Sequence, residues 1–570
     1  MANQLAALLL ENSRLNALLA EAEKERDILR KAYQQALEQL QLLRRRMFVA
    51  SAERPVSTAD QLAFEGLLAE VERLETALDG QDASGAGKPD KGVKGDKGDK
   101  QPKQPMPRRE LEKTDLEVRR IELLDPALEG NAERIGFDET SRLAYQRATM
   151  VRLVVAVATY KKSEPPAEST PPGPDGKPAP AVVTFHRTSF PRELLGRGLL
   201  APSMIAHLLV SKYVMGVPFY RLESQMAFCS VSLDRSTMCR YAENAGATFG
   251  AVVDAMKAEA LKTAFCLSTD ATGVAVQPTR LPDRTRQPCK KGHFFVVLAD
   301  RDHVFFEYQA RHTSAAVCTM FKGFGGYVQA DAHAVYDALF RGAAINTNDE
   351  ATTLPTEVGC WSHCRRHFWE AAVCKHRLGI EGLQRIDTIF AADAKLKKLA
   401  PAQRHGLRQL HVRPLVDSFF TWVQHQLEAT TERGLVKAAL GYALRQQAAL
   451  RRFLEDGRLR LENNSSEREL RRIAIGRKNW LFVGSDDHAE AAANVFSLIA
   501  SCKLHGLDPE LYLCELIQVL PYWPRDRYLE LSPRYWAQTR ARLDPAELAR
   551  ELGSITVPPK LTSQEQPLSR

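Results

Sequence analysis

The stretch from 264 to 339 fixes the kind of fold open to this chain. AFCLSTDATGVAVQP, GHFFVVLADRD and HVFFEYQARHT are short apolar runs, rich in β-branched and aromatic residues and bounded by turn residues; a helical pattern follows near Ala315 to Lys322, and GGYVQADAHAVYDAL then returns as a buried run. Runs of this length and composition read as strands, and strands interleaved with a helix point to an α/β sheet. Two of them deliver an aspartate in the same setting. Asp270 in CLSTDATGV and Asp331 in YVQADAHAV each follow an apolar run and precede small residues, which leaves room for a cation and a phosphate beside the carboxylate. One such aspartate is ordinarily a turn or a cap. Two on neighbouring strands ask for a third acid elsewhere.

A third acid stands in LENNSSERELRRIAIGRKNWLFVGS, residues 461–485. Glu462, Asn463, Asn464, Ser465 and Ser466 precede Glu467; Arg468, Arg471, Arg472, Arg477 and Lys478 follow; Trp480, Leu481, Phe482 and Val483 make a strand-like aromatic run that stops at Gly484. Two readings fit. Asn464 caps a helix and Glu467, three residues on, completes a capping box; or Glu467 is a metal ligand on a helix whose basic face lies along a phosphate backbone. The choice rests on whether the chain supplies partner carboxylates, and Asp270 and Asp331 are the ones on offer.

At 570 residues the chain is too long for one core and is expected to hold roughly three or four units. Its net charge of +8 favours an anionic partner. All ten cysteines lie at or after Cys229, without an even framework, which suits a reducing cytosol. The start of the chain lacks a basic n-region and meets Glu11 early, so it is not read as a signal peptide, and no stretch approaches eighteen uninterrupted apolar residues, so no membrane helix is expected.

Within residues 1–50, positions 5 to 47 carry a heptad, one seam reading Leu5, Asn12, Leu19, Arg26, Tyr33, Leu40, Met47 and the other Leu8, Leu15, Ala22, Leu29, Ala36, Leu43, with Arg26 and the two alanines weakening the middle. That is the pattern of a parallel two-stranded coiled coil, where a buried amide fixes register; a single helix packed on its own chain is the alternative. A helical segment, 51–78, precedes a basic linker, 79–109, of Gly, Lys, Asp and Pro, too poor in apolar side chains to offset its ordering entropy. Residues 110–185 hold a small unit with strand-like alternation in Val151 to Tyr160, and a proline-rich hinge. Within 186–260, a helix ending before Pro218, a short second helix, and a third that Ser232 or Asp234 can cap and that bears Arg235 and Arg240 resemble a helix-turn-helix. A three-helix bundle with a solvated basic face is the plain alternative. The α/β core is expected at 261–361 and 456–500, interrupted by a helical insertion, 362–455, and followed by a helical region and tail, 501–570. Cys360, His363, Cys364, His367 and Cys374 invite a zinc reading, but their spacing fits no usual ligand pattern and from His363 onward the residues look helical, with Phe368, Trp369 and Ala372 as core. No zinc is expected there, and Arg365 and Arg366 are read as a phosphate-facing pair.

Taken in order, LSTDATGV, VQADAHAVYDAL, CWSHCRRHF and LENNSSERELRRIAIGRKNWLFVGSDDHAEAAANVFSLIASCKLHGLDPELYL resemble the insertion-sequence sixty-six family of bacterial DDE transposases, and the similarity runs back through LLAPSMIAHLLVSKYVMGVPFYRLESQM to the N-terminal heptads. The resemblance implies a multi-domain chain: a coiled coil, a zinc-binding module, a helix-turn-helix and an α/β RNase H-like core with an insertion before its last acid. It makes Asp270, Asp331 and Glu467 the catalytic residues and the metal ligands. Three departures stand out. Glu462 replaces a frequent Asp, Ser465 and Ser466 replace Ala, and no cysteine precedes Cys229, so 110–185 is read as a degenerate zinc-finger-like module.

The implied activity is binding of terminal inverted repeats followed by metal-dependent DNA strand cleavage and strand transfer, with two Mg2+ ions, or Mn2+ in their place, held by the three carboxylates. Arg468, Arg471, Arg472, Arg477 and Lys478 would neutralise phosphates while base contacts fall to the helix-turn-helix. The implied partners are the double-stranded DNA of element ends and target, a second copy of the chain through the coiled coil, and accessory proteins of the same element. The setting is the bacterial cytoplasm and nucleoid, with no membrane. Two other functions remain to be weighed. An inert DNA-binding regulator is disfavoured because all three acidic positions are filled; an RNase H-like nuclease that cuts without joining would be separated by strand-transfer products.

Overall fold

The computed structural model describes residues 117–146, 149–164, 182–196, 198–278, 287–342, 354–430 and 434–562, with 565, 567 and scattered helical positions between 14 and 36. The heptad seams of 1–50 fall almost wholly outside the described residues, as do 51–78 and the linker 79–109. Two compact units divide the chain: Met1–Pro102 with Gly359–Glu462, and Lys103–Val358 with Asn463–Arg570.

The second unit opens with β1 (Glu117–Leu123), β2 (Glu133–Gln146), β3 (Thr149–Glu164) and β4 (Val182–Arg187). β3 is the spine. It runs antiparallel to β2 on one side; on the other, parallel β1 lines its first half and antiparallel β4 its second. Leu153, Val155, Val157 and Tyr160 of β3 are fully buried, because a strand paired on both edges and rich in β-branched residues is a natural sheet centre. Strand pairing and these buried side chains hold together the stretch read as a degenerate zinc-finger-like module.

α1 (Pro202–Tyr213), α2 (Phe219–Phe228) and α3 (Arg235–Thr263) follow. Of the two caps the sequence offers for α3, Asp234 is used: its carboxylate accepts the N–H groups of Ser236 and Thr237. The first turns of α3 expose Arg235 and Arg240, and its later turns bury Phe249, Val253 and Met256, so one helix runs through the expected boundary at 260.

The larger sheet contains β5 (Cys266–Val276), β6 (Lys290–Ala299), β7 (His303–Gln309), then, after α4 (Ser314–Met320), β8 (Tyr327–Gln329), and, after α5 (Asp337–Arg341), β9 (Thr356–Val358). The strand order is β7–β6–β5–β8–β9. β5, β6 and β7 are antiparallel neighbours, whereas β8 and β9 run parallel to β5. The difference follows from the connections. A turn with Asp300 at φ 48 joins β6 to β7, while β8 can lie parallel to β5 only because β6, β7 and α4 provide a long crossover.

The chain re-enters this unit as α6 (Asn464–Trp480), α7 (Asp486–Leu504), α8 (Pro509–Val519) and α9 (Pro533–Arg540). α7 is a run of small residues, and it packs at backbone contact on α3: a Cβ on Gly246 would stand 2.4 Å from the Ala491 carbonyl oxygen. It also seals the free edge of β7, whose Val304 and Phe306 N–H groups donate to Ser501 and Ser497 Oγ at 3.0 and 2.8 Å. A buried ionic cluster joins α9 to α3 and β7. His303 Nε2 lies 2.6 Å from Glu259, Tyr535 donates to the same carboxylate, and Arg534 stands 3.3 Å from Glu259 and 3.4 Å from Asp302. Burial alone would raise the Glu259 carboxyl; the bonds from His303 and Tyr535 and the Arg534 charge hold it below its ordinary value.

The described residues of Gly359–Glu462, the second segment of the first unit, are helical, from Trp361–Val373 to Gln447–Arg451. Its core is aromatic: Trp361 meets Phe419, Phe420 and Phe453 with ring centroids 5.4, 5.9 and 6.3 Å away. Cys360 and Cys364 are fully buried in it, and burial pushes the Cys364 thiol well up, so Cys364 behaves as a small apolar side chain. Arg408, with no exposure, sits in a π-helical turn and donates to Asp393 at 2.7 Å and to the carbonyls of Phe453, Asp456 and Leu459 at 2.6, 3.1 and 3.0 Å. That guanidinium holds the segment by which the chain leaves the unit.

Candidate active site

Asp270 and Asp331 come to one place through strand register. β5 and β8 are parallel, with Leu267 opposite Val328 and Ser268 opposite Gln329. Asp270 is two residues past the last of these pairs on β5 and Asp331 two residues past it on β8. Beyond β8 the chain turns sharply, with Ala332 at φ 58, and Asp331 Oδ1 accepts the His333 N–H at 3.1 Å. Both aspartates are half-buried.

Glu467 is brought to the same place by α6, which is tied to β5 on both sides of Asp270. At the helix start Asn463, almost fully buried, donates its amide to the Thr269 carbonyl at 2.7 Å and accepts the Ser466 hydroxyl at 2.7 Å. Further along, Arg477 donates to Thr272 Oγ1 at 3.1 Å and to the Gly273 carbonyl. These contacts correct two expectations. The cap position is Asn463 rather than Asn464, and its side chain anchors the helix to the sheet instead of closing a capping box. The run Trp480–Val483 is not a strand: Trp480 ends α6, Leu481 turns at φ 66 and ψ −48, and only Val483 pairs, with Val276. The Phe482 N–H donates to the Trp480 carbonyl at 2.8 Å across Leu481. This is a γ-turn of the rare positive-φ kind, at a cost of about 1–3 kcal/mol for a side-chain-bearing residue.

Asp331 and Glu467 both act electrostatically on Asp270. Burial first, and then the charges of Asp331 and Glu467, push the Asp270 carboxyl up to about 7, against a single favourable bond from the Ala271 N–H at 2.7 Å. Oxygen-only donors of this kind suit a hard divalent cation, which would relieve the repulsion they impose on one another. Among the described residues no three His, Cys, Asp or Glu side chains already stand close enough to hold a metal ion. The donor chemistry therefore fits, and the side chains must draw together to use it.

Residues 197–491, just over half of the chain, match the family model described as Transposase IS66 family, and residues 497–533 match the IS66 C-terminal element. The chain belongs to the IS66 transposase family. Similar proteins include the uncharacterized proteins y4hP and y4qI of Sinorhizobium fredii, 25% identical over 383 residues and 27% identical over 352. Those matches take in 63% and 60% of this chain, and 66% and 64% of the relatives' own lengths, just under two thirds.

In this IS66 family member the predicted basic residues divide by environment. Arg468, Arg471 and Lys478 of α6 are exposed and make no ion pair or hydrogen bond among the described residues. Arg472 is committed to Glu469 at 3.0 Å, and Arg477 to β5 as above. Arg365 pairs with Asp387 at 2.6 Å and Arg366 with Glu370 at 3.4 Å. Arg240 donates to Thr237 Oγ1 at 3.2 Å; Arg235 is exposed.

Sequence reasoning missed a row of imidazoles beside Asp331. His293 of β6 stacks on His312 with centroids 4.9 Å apart, and His312 meets His333 at 4.7 Å and Phe295 at 5.3 Å. Burial, then neighbouring positive or imidazole groups, lower both His293 and His312, so these rings are neutral near pH 7. The three lie in GHFF, ARHTS and DAHAV, a spacing that matches no motif; only the fold collects them.

Proposed function

We propose that this chain cuts and joins DNA strands, with Asp270, Asp331 and Glu467 as the catalytic carboxylates. The observation that carries the reading is that Asp331, in the turn after β8, and Glu467, on α6, both act on Asp270 of β5 and, together with burial, push its carboxyl up to about 7. The order and directions of the larger sheet, three antiparallel strands followed by two parallel ones, support an RNase H-like core. Asp270, Asp331 and Glu467 would hold Mg2+, or Mn2+ in its place. Bound there, a divalent pair would favour in-line attack of water or a DNA 3′-hydroxyl on a phosphodiester and stabilise the leaving oxygen.

The chain's own groups do the rest. The β5–α6 clamp made by Asn463 and Arg477 fixes Glu467 relative to Asp270. Arg468, Arg471 and Lys478, exposed on α6 beside Glu467, would lie along the phosphates and give salt-sensitive affinity. Arg365 and Arg366 would have to exchange carboxylate partners for phosphate. α1, α2 and the N-terminal turns of α3 would read terminal inverted repeats through Arg235 and Arg240 in helix-turn-helix fashion. Residues 1–50 would pair two copies so that two element ends meet, and accessory proteins of the element would complete the assembly. No helix among the described residues is long and apolar enough to cross a membrane, and a nucleoid setting follows from the substrate.

Glu467→Gln tests this reading. It keeps the shape of the side chain and removes the charge, so cleavage and strand transfer should fall by about a thousandfold or more while binding to terminal DNA persists. Glu462→Gln is the control and should retain most activity. Full activity in Glu467→Gln overturns the assignment, and products that stop at cleavage mark a nuclease instead.

A further inference from the structure

The exposed face of α6 is continuous. Glu467, Arg468, Arg471, Ile475 and Lys478 are all exposed and fall within roughly one hundred degrees of arc at 3.6 residues per turn. The stripe ends at the γ-turn, where Leu481 is 66% and Phe482 42% exposed. Two large apolar side chains are thus held in solvent by a strained backbone, and the strain is not repaid by burial. The turn is nonetheless held on both sides by hydrogen bonds. Arg477 and Asn479, the latter through the Gly216 carbonyl at 3.1 Å, fix the helix before it; the Val483 N–H donates to the Ala275 carbonyl at 2.9 Å and the Gln277 N–H to the Val483 carbonyl at 2.8 Å after it. Strain kept in place without a packing return points to use by a partner.

We propose that Leu481 and Phe482 form a wedge that enters the base stack of duplex DNA lying along α6 and unstacks or kinks it at a set distance from the cut. This rests on the function proposed above. The occupant is DNA because, among the described residues, the exposed stripe that ends at the pair carries three cations, Arg468, Arg471 and Lys478, against one acid, Glu467, which makes it complementary to phosphate, and apolar wedges between base steps are an established way of bending a duplex. Fourteen residues separate Glu467 from Leu481, about 21 Å along the helix axis. At about 3.4 Å per step, the distortion falls roughly six base pairs from the scissile bond.

The test uses the full chain and a duplex from the end of its own element, with 2-aminopurine replacing one base at successive positions and Ca2+ in place of Mg2+. Fluorescence should rise several-fold at a position roughly six base pairs from the cut and little elsewhere. The double variant Leu481→Ser, Phe482→Ser should abolish the rise while binding in gel shift changes less than tenfold; Leu481→Met with Phe482→Leu should preserve it. A rise that survives the serine variant, or no bright position with the wild-type chain, overturns the wedge. So does a drop in sedimenting mass in the serine variant, which would make the pair a contact between copies. Glu467→Gln separates the two readings, since it should lose cleavage and keep the rise. A Glu467→Gln protein that still cuts defeats the catalytic assignment and leaves the wedge standing; a dead one that shows no rise does the reverse.

Discussion

Two acidic clusters in the same unit have opposite electrostatics. Around Glu259 every charge has an answer: His303, Tyr535 and Arg534 surround the carboxylate and hold its ionisation below the ordinary range. Around Asp270 the charges that act are Asp331 and Glu467, both negative, and its ionisation is displaced upward to about 7. The first arrangement is complete and ties α9 to the core. The second is incomplete, and what would complete it is positive charge from outside the chain. A buried acid alone does not mark a site; an acid whose ionisation is displaced upward by burial and like charges, as at Asp270, is a candidate for one.

The comparison breaks most readily at the site. Asp270→Asn should lower strand cleavage by about a thousandfold or more, yet leave the metal-free protein as stable as before or more so, since it removes a desolvated carboxylate from two like charges. A large loss of thermal stability would mean that Asp270 is compensated after all. Arg534→Met should do the opposite. It strips the cation from Glu259 and Asp302 and should cost about 3–5 kcal/mol in urea unfolding, with the cleavage rate per folded molecule unchanged.

pH sharpens the contrast, because the two clusters have opposite signs. For Asp270 the folded value, about 7, exceeds the ordinary aspartate value of about 4, so the folded state binds more protons between them. Metal-free stability should then fall as pH rises from about 4 to about 7, by up to about 4 kcal/mol, and Asp270→Asn should flatten that slope. For Glu259 the folded value is depressed, so its contribution is present above the unfolded carboxylate range and is lost as acid takes pH down through the folded value. The smallest effect is expected away from both clusters: Leu481→Gly relieves the γ-turn and should raise stability by about 1 kcal/mol in thermal unfolding.

Much of this candidate site is legible in the sequence. Asp270 and Asp331 were marked by apolar runs ending in small residues, and Glu467 by the polar and basic residues around it. What could not be read was which cation each acid meets. Arg472 and Arg477 look no different in sequence from Arg471, yet they are committed to Glu469 and to the edge of β5. The cap of α6 was displaced by one residue because Asn463 bonds to Thr269, a strand that capping rules do not consult.

The sequence by itself determined the family to which the chain belongs, the strands and helix that carry Asp270, Asp331 and Glu467, and their candidacy as a site. Each of these is written in local pattern: apolar period, turn residues, a capping residue next to an apolar run. Only the tertiary structure decided that Asp331 and Glu467 act on Asp270, that three imidazoles gather beside Asp331, and that Leu481 and Phe482 turn outward on a strained backbone instead of pairing as a strand. The physical reason is that charge compensation and side-chain stacking act through space at a few ångströms, between residues that the chain keeps far apart in order. Local propensity at Leu481 favours a strand or a helix end; the bonds that clamp α6 and Val483 to β5 leave it neither.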